Sequence, residues 1–302
     1  MATLTKQEAD LFFKIFEQLI YFANLRLKII NNFPKPNQGN WNLEDVQRIS
    51  DKIFLNPEII TSFYSENPAM LNKEEIELVK LWKTSIKDKF IAFTNKGKTI
   101  FFSSEKEPKA YEVNGLYDDF FDMAQFQPIM VEAVLIPFKE KIIYPSFFKP
   151  FAISFGGGFK KGLMIDFELS KNKFGIISSL TKPIEEKKQS DEELLRIYLK
   201  SKQNREEFWE EINEILRKNP PLKNIYHNEI GKSYVREIKG IFSEIGIKNG
   251  WFAIVNSQII ASGKSESEVK ERIKEILPED KLSSAHIFKY GEKGKKENKK
   301  DE

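Results

Sequence analysis

The stretch that most limits what this chain can become runs from Ile129 to Asp166, IMVEAVLIPFKEKIIYPSFFKPFAISFGGGFKKGLMID. Short apolar runs broken by turn residues predict three strands, Met130–Phe138, Lys141–Tyr144 and Phe151–Phe155. The third runs into Gly156, Gly157 and Gly158, and Lys160 and Lys161 follow at the start of a predicted helix. A chain that turns from strand to helix through glycines brings backbone N–H groups to its surface, so this corner is the natural place for a binding site.

Upstream the periodicity is helical. Phe12, Ile15, Phe16, Leu19, Phe22 and Ala23 repeat at three-to-four spacing within residues 5–31, and Pro34 and Pro36 end the run. Asn42 caps a second helix carrying Val46, Ile49 and Ile53. Asn56 and Pro57 open a short third through Tyr64. Asn72 with Glu75 forms a capping box for a fourth through Ile86. The pattern then alternates. Residues 90–104 predict a hairpin turning at Asn95–Gly97, Lys109–Asn114 a further strand, Asp118–Met123 a short acidic helix and Phe174–Ser178 a closing strand.

The polar stretch TKPIEEKKQS, residues 181–190, predicts a domain boundary. Helices follow near 191–200, 204–218 and 232–245, with a polar loop containing His227 between the last two. Strands 251–255 and 258–262 around Asn256-Ser257, a helix 266–277 capped by Ser265, and a strand Ala285–Tyr290 give the order β-β-α-β. The predicted fold class is α+β. A helical region, 1–88, packs on a mostly antiparallel sheet, 89–180, in a domain of residues 1–182. A helical connector and the small β-β-α-β unit of residues 251–290 make up 183–290. Residues 291–302 are an apolar-free tail expected to be disordered.

Composition narrows the function classes. With 40% hydrophobic and 31% charged residues the 302-residue chain can build a packed core, and most of its 26 Phe must be buried. The absence of cysteine excludes disulfides, thiolate metal sites and a cysteine nucleophile. Only His227 and His286 offer imidazole, which counts against zinc hydrolases and Ser-His-Asp enzymes. A net charge of +3 is small for a dedicated nucleic-acid binder, so nucleic acid is a weakly supported partner. Lys14, Glu17, Arg26 and Lys28 interrupt the apolar run Leu11–Ile30. No membrane span is therefore expected, and a soluble, cytoplasmic protein is.

Each candidate site has a functional and a structural reading. Gly156, Gly157, Gly158, Lys160 and Lys161 form an anion-binding candidate, but the spacing fits neither a P-loop nor G-x-G-x-x-G, because Lys161 stands at the third glycine position. Structurally, the glycines serve a sharp corner that needs positive φ. Asp118, Asp119, Asp122 and Glu132 are oxygen donors suited to Mg²⁺ or Ca²⁺, and Asp166 and Glu168 with Lys171 resemble a metal-nuclease set; neither has diagnostic spacing, and solvated charge accounts for both. Residues 105–132 carry net −5 and residues 139–173 net +4, which predicts neutralisation across strands. Trp251 reads as a core aromatic, and Gly263-Lys264-Ser265 as a strand end followed by a helix cap.

Residues 129–161 resemble a motif of uncharacterised bacterial cytoplasmic proteins. In that motif an apolar strand ends in LIPF-K-x-K-I-I-Y, followed by P-F/Y-x-I-x-F-G-G-G and basic residues, and the likeness extends over roughly residues 5–180. GWFAIVNSQIIASGKSESEVKERIKEI resembles a small domain of unknown function found in archaea and bacteria. The resemblances imply the two-domain plan and a cytoplasmic location and bring no mechanism. No catalytic constellation, metal set or cofactor is specified. The leading expectation is a non-catalytic binding or regulatory protein acting through an unidentified protein partner. The alternative is a phosphate-handling or nucleic-acid-processing enzyme with an anion site at the FGGGFKKG corner.

Overall fold

The computed structural model describes residues 3–36, 38, 41–103, 106–123, 126–145 and 148–291. It is an α+β protein of two compact units, 1–187 and 188–302, divided inside the polar stretch 181–190.

In the first unit, helices α1 (Lys6–Leu27), α2 (Leu43–Leu55), α3 (Glu58–Glu66) and α4 (Lys73–Leu81) come first. Thr5 and Glu8 close a capping box at the start of α1, as Asn72 and Glu75 do for α4. The α1 stripe Phe12, Ile15, Phe16 and Leu19 is buried, and Phe12 reaches Trp82 and Phe138 at ring-centroid distances of 5.5 and 5.8 Å. Each such aromatic burial contributes roughly 1.5–3 kcal/mol. The fourth helix ends at Leu81 instead of Ile86, because a 3-10 turn at Trp82–Thr84 passes the chain directly into the sheet.

The strands are β1 (Ile86–Asn95), β2 (Lys98–Ser103), β3 (Ala110–Asn114), β4 (Ile129–Phe138), β5 (Lys141–Ile143), β6 (Lys149–Pro150) and β7 (Ile176–Ile177). A one-turn helix α5 (Phe120–Met123) precedes β4, and α6 (Gly157–Phe174) precedes β7. The first hairpin turns through Lys96 and Gly97, both at positive φ. Pairings run β1–β2–β3–β5–β4 and back to β1, so the sheet closes on itself. It is mixed, since β3 pairs with β5 and β7 in parallel. Period-two alternation then sorts the side chains. Phe90, Phe101, Tyr111, Val131, Ala133, Leu135 and Tyr144 share one cluster. Val134, Ile136 and Phe138, at the alternate positions of β4, pack with the four helices.

Two strand expectations are corrected. Phe151–Phe155 is not a strand; only Lys149 and Pro150 pair, with Glu132 and Val131. Phe151 N–H still donates to the Met130 carbonyl at 2.9 Å, and beyond that bond the segment pairs with no described strand. Phe174 ends α6, so the closing strand shortens to Ile176–Ile177.

The second unit contains α7 (Asp191–Tyr198), α8 (Lys202–Glu207), α9 (Trp209–Lys218), α10 (Lys223–Glu244), β8 (Asn249–Val255), β9 (Gln258–Gly263), α11 (Glu266–Ile276) and β10 (His286–Gly291). The helix expected over 204–218 is broken at Phe208, whose φ of −103° and ψ of 29° are not helical. The loop expected around His227 is helical; α10 starts right after the Pro220-Pro221 turn. The sheet order is β10–β8–β9. Phe252, Ile254 and Phe288 pack with Ile238 and Phe242 of α10, while Ala253 and Ala261 pack with Val269 and Ile273 of α11. The expected disordered tail, apart from Gly291 at the end of β10, lies outside the described residues. Among the described residues no helix is long and apolar enough to cross a membrane.

Candidate functional site

Helix α6 is placed by its apolar spacing. Leu163 and Phe167 pack with Phe93, Ile100, Phe102 and Ala110, and Phe167 meets Phe93 edge-on at 5.1 Å. Its first turn is different: no residue from Ala152 to Lys161 is buried. Gly156 is the N-cap at φ −69° and ψ 165°, with no side-chain cap, and the first helical bond runs from Lys160 N–H to the Gly156 carbonyl at 3.1 Å.

The turn explanation of the glycine triplet is overturned. Among the described residues, the positive-φ glycines are Gly97, Gly175, Gly246 and Gly291, not Gly156, Gly157 or Gly158. A Cβ added at any of the three, or at Gly162, would meet nothing within 4 Å. Neither conformation nor internal packing requires glycine here. What the triplet does is leave bare backbone facing outward.

Exposed apolar residues flank that backbone along the chain. Phe155 stacks on Phe159 at 4.3 Å and 12°. Ile153, Phe159 and Met164 are 48%, 46% and 40% exposed. Beside them lies a hollow of about 260 Å³ lined by Ile91, Phe102, Pro108, Phe159 and Leu163, with Ser103 and Asp166 as its polar groups. Lys160 and Lys161 are exposed on the same turn, next to helix N–H groups that carry partial positive charge. The surface can hold an apolar side chain in the hollow and a carboxylate or phosphate at the helix start. Sequence reasoning found the glycines and lysines but missed Ile153, Phe155, Phe159 and Met164, because the F-A-I-S-F alternation reads as a buried strand.

The carboxylates do not join this site as a set. Asp119 is buried and accepts from Phe121 N–H at 3.0 Å, while Asp122 accepts from Asp119 N–H at 3.1 Å, so both serve the start of α5. Tyr144, buried in the strand cluster, has a hydroxyl with no hydrogen-bond partner; burial, then the Asp119 charge, push its phenol above the ordinary value. Glu132 lies 3.6 Å from Lys87, in a network where Lys87 and Lys149 bond Asp51 at 2.6 and 2.9 Å. Burial raises the Asp51 carboxyl, but the hydrogen bonds from Lys149 and Lys87 outweigh it and hold it below its usual range. Glu168 is 3.8 Å from Lys171 in an i,i+3 pair. Asp166 alone borders the hollow. Among the described residues no group of three His, Cys, Asp or Glu side chains is arranged to hold a metal ion. The oppositely charged segments meet at Lys173–Glu107, 2.8 Å, but other pairs reach outside them: Lys141 to Glu8, Lys149 to Asp51 and Lys98 to Glu112.

In the second unit His227 Nδ1 is 2.8 Å from the Asn256 side-chain oxygen, tying α10 to the β8–β9 turn. His286 is half-buried in β10, and burial lowers its pKa. Ser265 accepts from Glu268 N–H and caps α11. Trp251 is only half-buried. No family model, curated protein or solved structure matches this chain.

Proposed function

We propose that the chain is a soluble, cytoplasmic, non-catalytic binding protein that acts through protein contacts, and that the first turn of α6 with the segment before it is its contact surface. One observation carries this reading: Ile153, Phe159 and Met164 are exposed and Phe155 stacks on Phe159, next to glycines that neither backbone conformation nor packing requires. Exposed apolar clusters beside a hollow are costly to leave in water unless a partner covers them. Glycine lets a partner's backbone approach closely. The partner's matching element is an apolar anchor for the 260 Å³ hollow, with a carboxylate nearby for Lys160 and Lys161.

The second reading, an anion site of a phosphate-handling or nucleic-acid-processing enzyme, rests on Lys160 and Lys161 beside the uncapped helix start. The dispersal of Asp119 and Glu132 into their own networks weighs against catalysis there.

The two readings separate in one experiment. A photo-crosslinking residue is placed at Ile153 in cells, and captured species are identified as protein or nucleic acid. Phe159→Ser with Met164→Ser should abolish a protein crosslink at unchanged folding, while Lys160→Gln with Lys161→Gln should weaken it only partly. The enzyme reading instead expects phosphate or nucleotide to raise the melting temperature, and the lysine pair to abolish that shift.

A further inference from the structure

The sheet of the second unit ends in an open hollow of about 970 Å³, bounded by the start of β8 and the ends of β9 and β10. Lys248, Lys264 and Lys289 line it, with Trp251 and Tyr290. Among the described residues none of the three lysines forms an ion pair. The same unit pairs lysines elsewhere on its surface: Lys218 with Glu214, Lys270 with Glu266 and Lys274 with Glu271. Three lysines around one hollow, without an ion-pair partner among the described residues, repel one another, and that cost is relieved when an anion sits between them.

Trp251 gives the hollow an aromatic wall. In the β8 register it stands opposite Lys289 on β10 and opposite Gly263 on β9. Lys289 Nζ lies 6.0 Å from the indole centroid. On the other side the partner is Gly263, whose open face is taken by the Glu268 side chain of α11, and the indole packs on the Ala253–Val269 cluster. The nearby carboxylate is already engaged: Glu268 accepts from Lys264 N–H at 2.7 Å and pairs with Arg272 at 2.6 Å. A half-buried indole in a hollow lined by three lysines fits a ligand that combines a flat ring with phosphate. The hollow falls within the size range of small-ligand sites, about 300–1,000 Å³.

We propose that this hollow binds a nucleoside phosphate, with the base against Trp251 and the phosphate among Lys248, Lys264 and Lys289. The ligand's source is a free nucleotide or an exposed nucleotide of a single strand. The site lies in the second unit and does not depend on the contact surface proposed for α6.

The test uses the full chain at low salt. ATP and inorganic phosphate are measured by equilibrium dialysis, and a fluorescein-labelled ten-nucleotide oligo-dT by anisotropy. The wild type is expected to bind ATP, the oligonucleotide, or both; ATP alone identifies the free nucleotide, and the oligonucleotide alone, weakening with salt, identifies the strand. Lys248→Gln with Lys264→Gln and Lys289→Gln should weaken binding about tenfold or more. Trp251→Leu should weaken it about tenfold, whereas Trp251→Phe keeps a ring and most of the affinity. A melting curve for each variant separates lost binding from lost folding. No binding of either nucleotide probe by the wild type overturns the proposal. So does undiminished binding by the triple lysine variant, or inorganic phosphate competing as strongly as ATP.

Discussion

Glu8 ties the start of α1 to the β4–β5 turn. It accepts from Thr5 N–H at 3.0 Å and from Lys141 Nζ at 2.9 Å, with Lys139 Nζ at 3.6 Å. The Lys141 hydrogen bond, then the Thr5 N–H, hold its carboxyl near 2 against the opposing effect of burial. The folded value lies below the unfolded one, so this contribution is complete above about pH 5 and fades as pH falls towards 2. Solvent screening leaves it at about 1 kcal/mol. Glu8→Gln keeps an acceptor for the capping box but loses the charge. Urea denaturation should show the variant less stable at pH 7 and a smaller difference at pH 3.5; a difference that does not change with pH contradicts this account. Gly115 works by space instead of charge. A Cβ there would lie 2.0 Å from the Asp118 carbonyl oxygen, while the Gly115 carbonyl accepts from Leu4 N–H at 3.0 Å. Gly115→Ala is expected to cost about 2–3 kcal/mol, read in the same denaturation experiment.

At the scale of elements the informative helix is α6. Gly157 and Gly158 have negative φ and open space at Cβ, so alanine fits both without strain. Gly157→Ala with Gly158→Ala should therefore stabilise the first unit by about 0.4–1 kcal/mol per site. If a partner's backbone approaches these glycines, the same variant should lose the Ile153 crosslink while melting higher. Higher stability with unchanged crosslinking would show that the glycines serve no contact. Several helix starts were readable from sequence: Asn42, Asn72 and Ser265 accept from helix N–H groups as expected, whereas Asn56 does not cap α3, whose N-cap is Pro57, without a side-chain cap. The same local chemistry made the β-β-α-β order plain. Phe151–Phe155 misled because alternation reports an extended chain, not whether a partner strand is free; beyond the Phe151 N–H bond to Met130 the segment pairs with no described strand and its apolar residues stay unburied. The closure of the sheet was not readable either. It depends on β1 pairing with β4 across the intervening strands and on β3 meeting β5 in parallel, and neither is encoded locally. The basic hollow was hidden because Lys248, Lys264 and Lys289 are spread along the sequence and line one hollow only when three strand ends align.

At the scale of the whole molecule, each described apolar cluster lies within one unit. The described clusters around Phe12, Phe90 and Phe93 draw only on residues before 181, and those around Phe242 and Ala253 only on residues after 234. A core that is complete within its own segment needs no other segment to fold. Residues 1–187 made alone should therefore be soluble, melt in one cooperative transition and keep the near-ultraviolet signal of packed aromatics. Residues 188–302 are the harder case, because a unit of that size buries a smaller fraction of its surface. They should still fold, since the sheet is covered by α10 on one face and α11 on the other. Calorimetry of the intact chain should then show the transitions of the two fragments at nearly their own temperatures. If the first fragment binds a hydrophobic dye and aggregates, its core is incomplete without residues beyond 187. A single transition of the intact chain well above those of both fragments would show that the units stabilise each other.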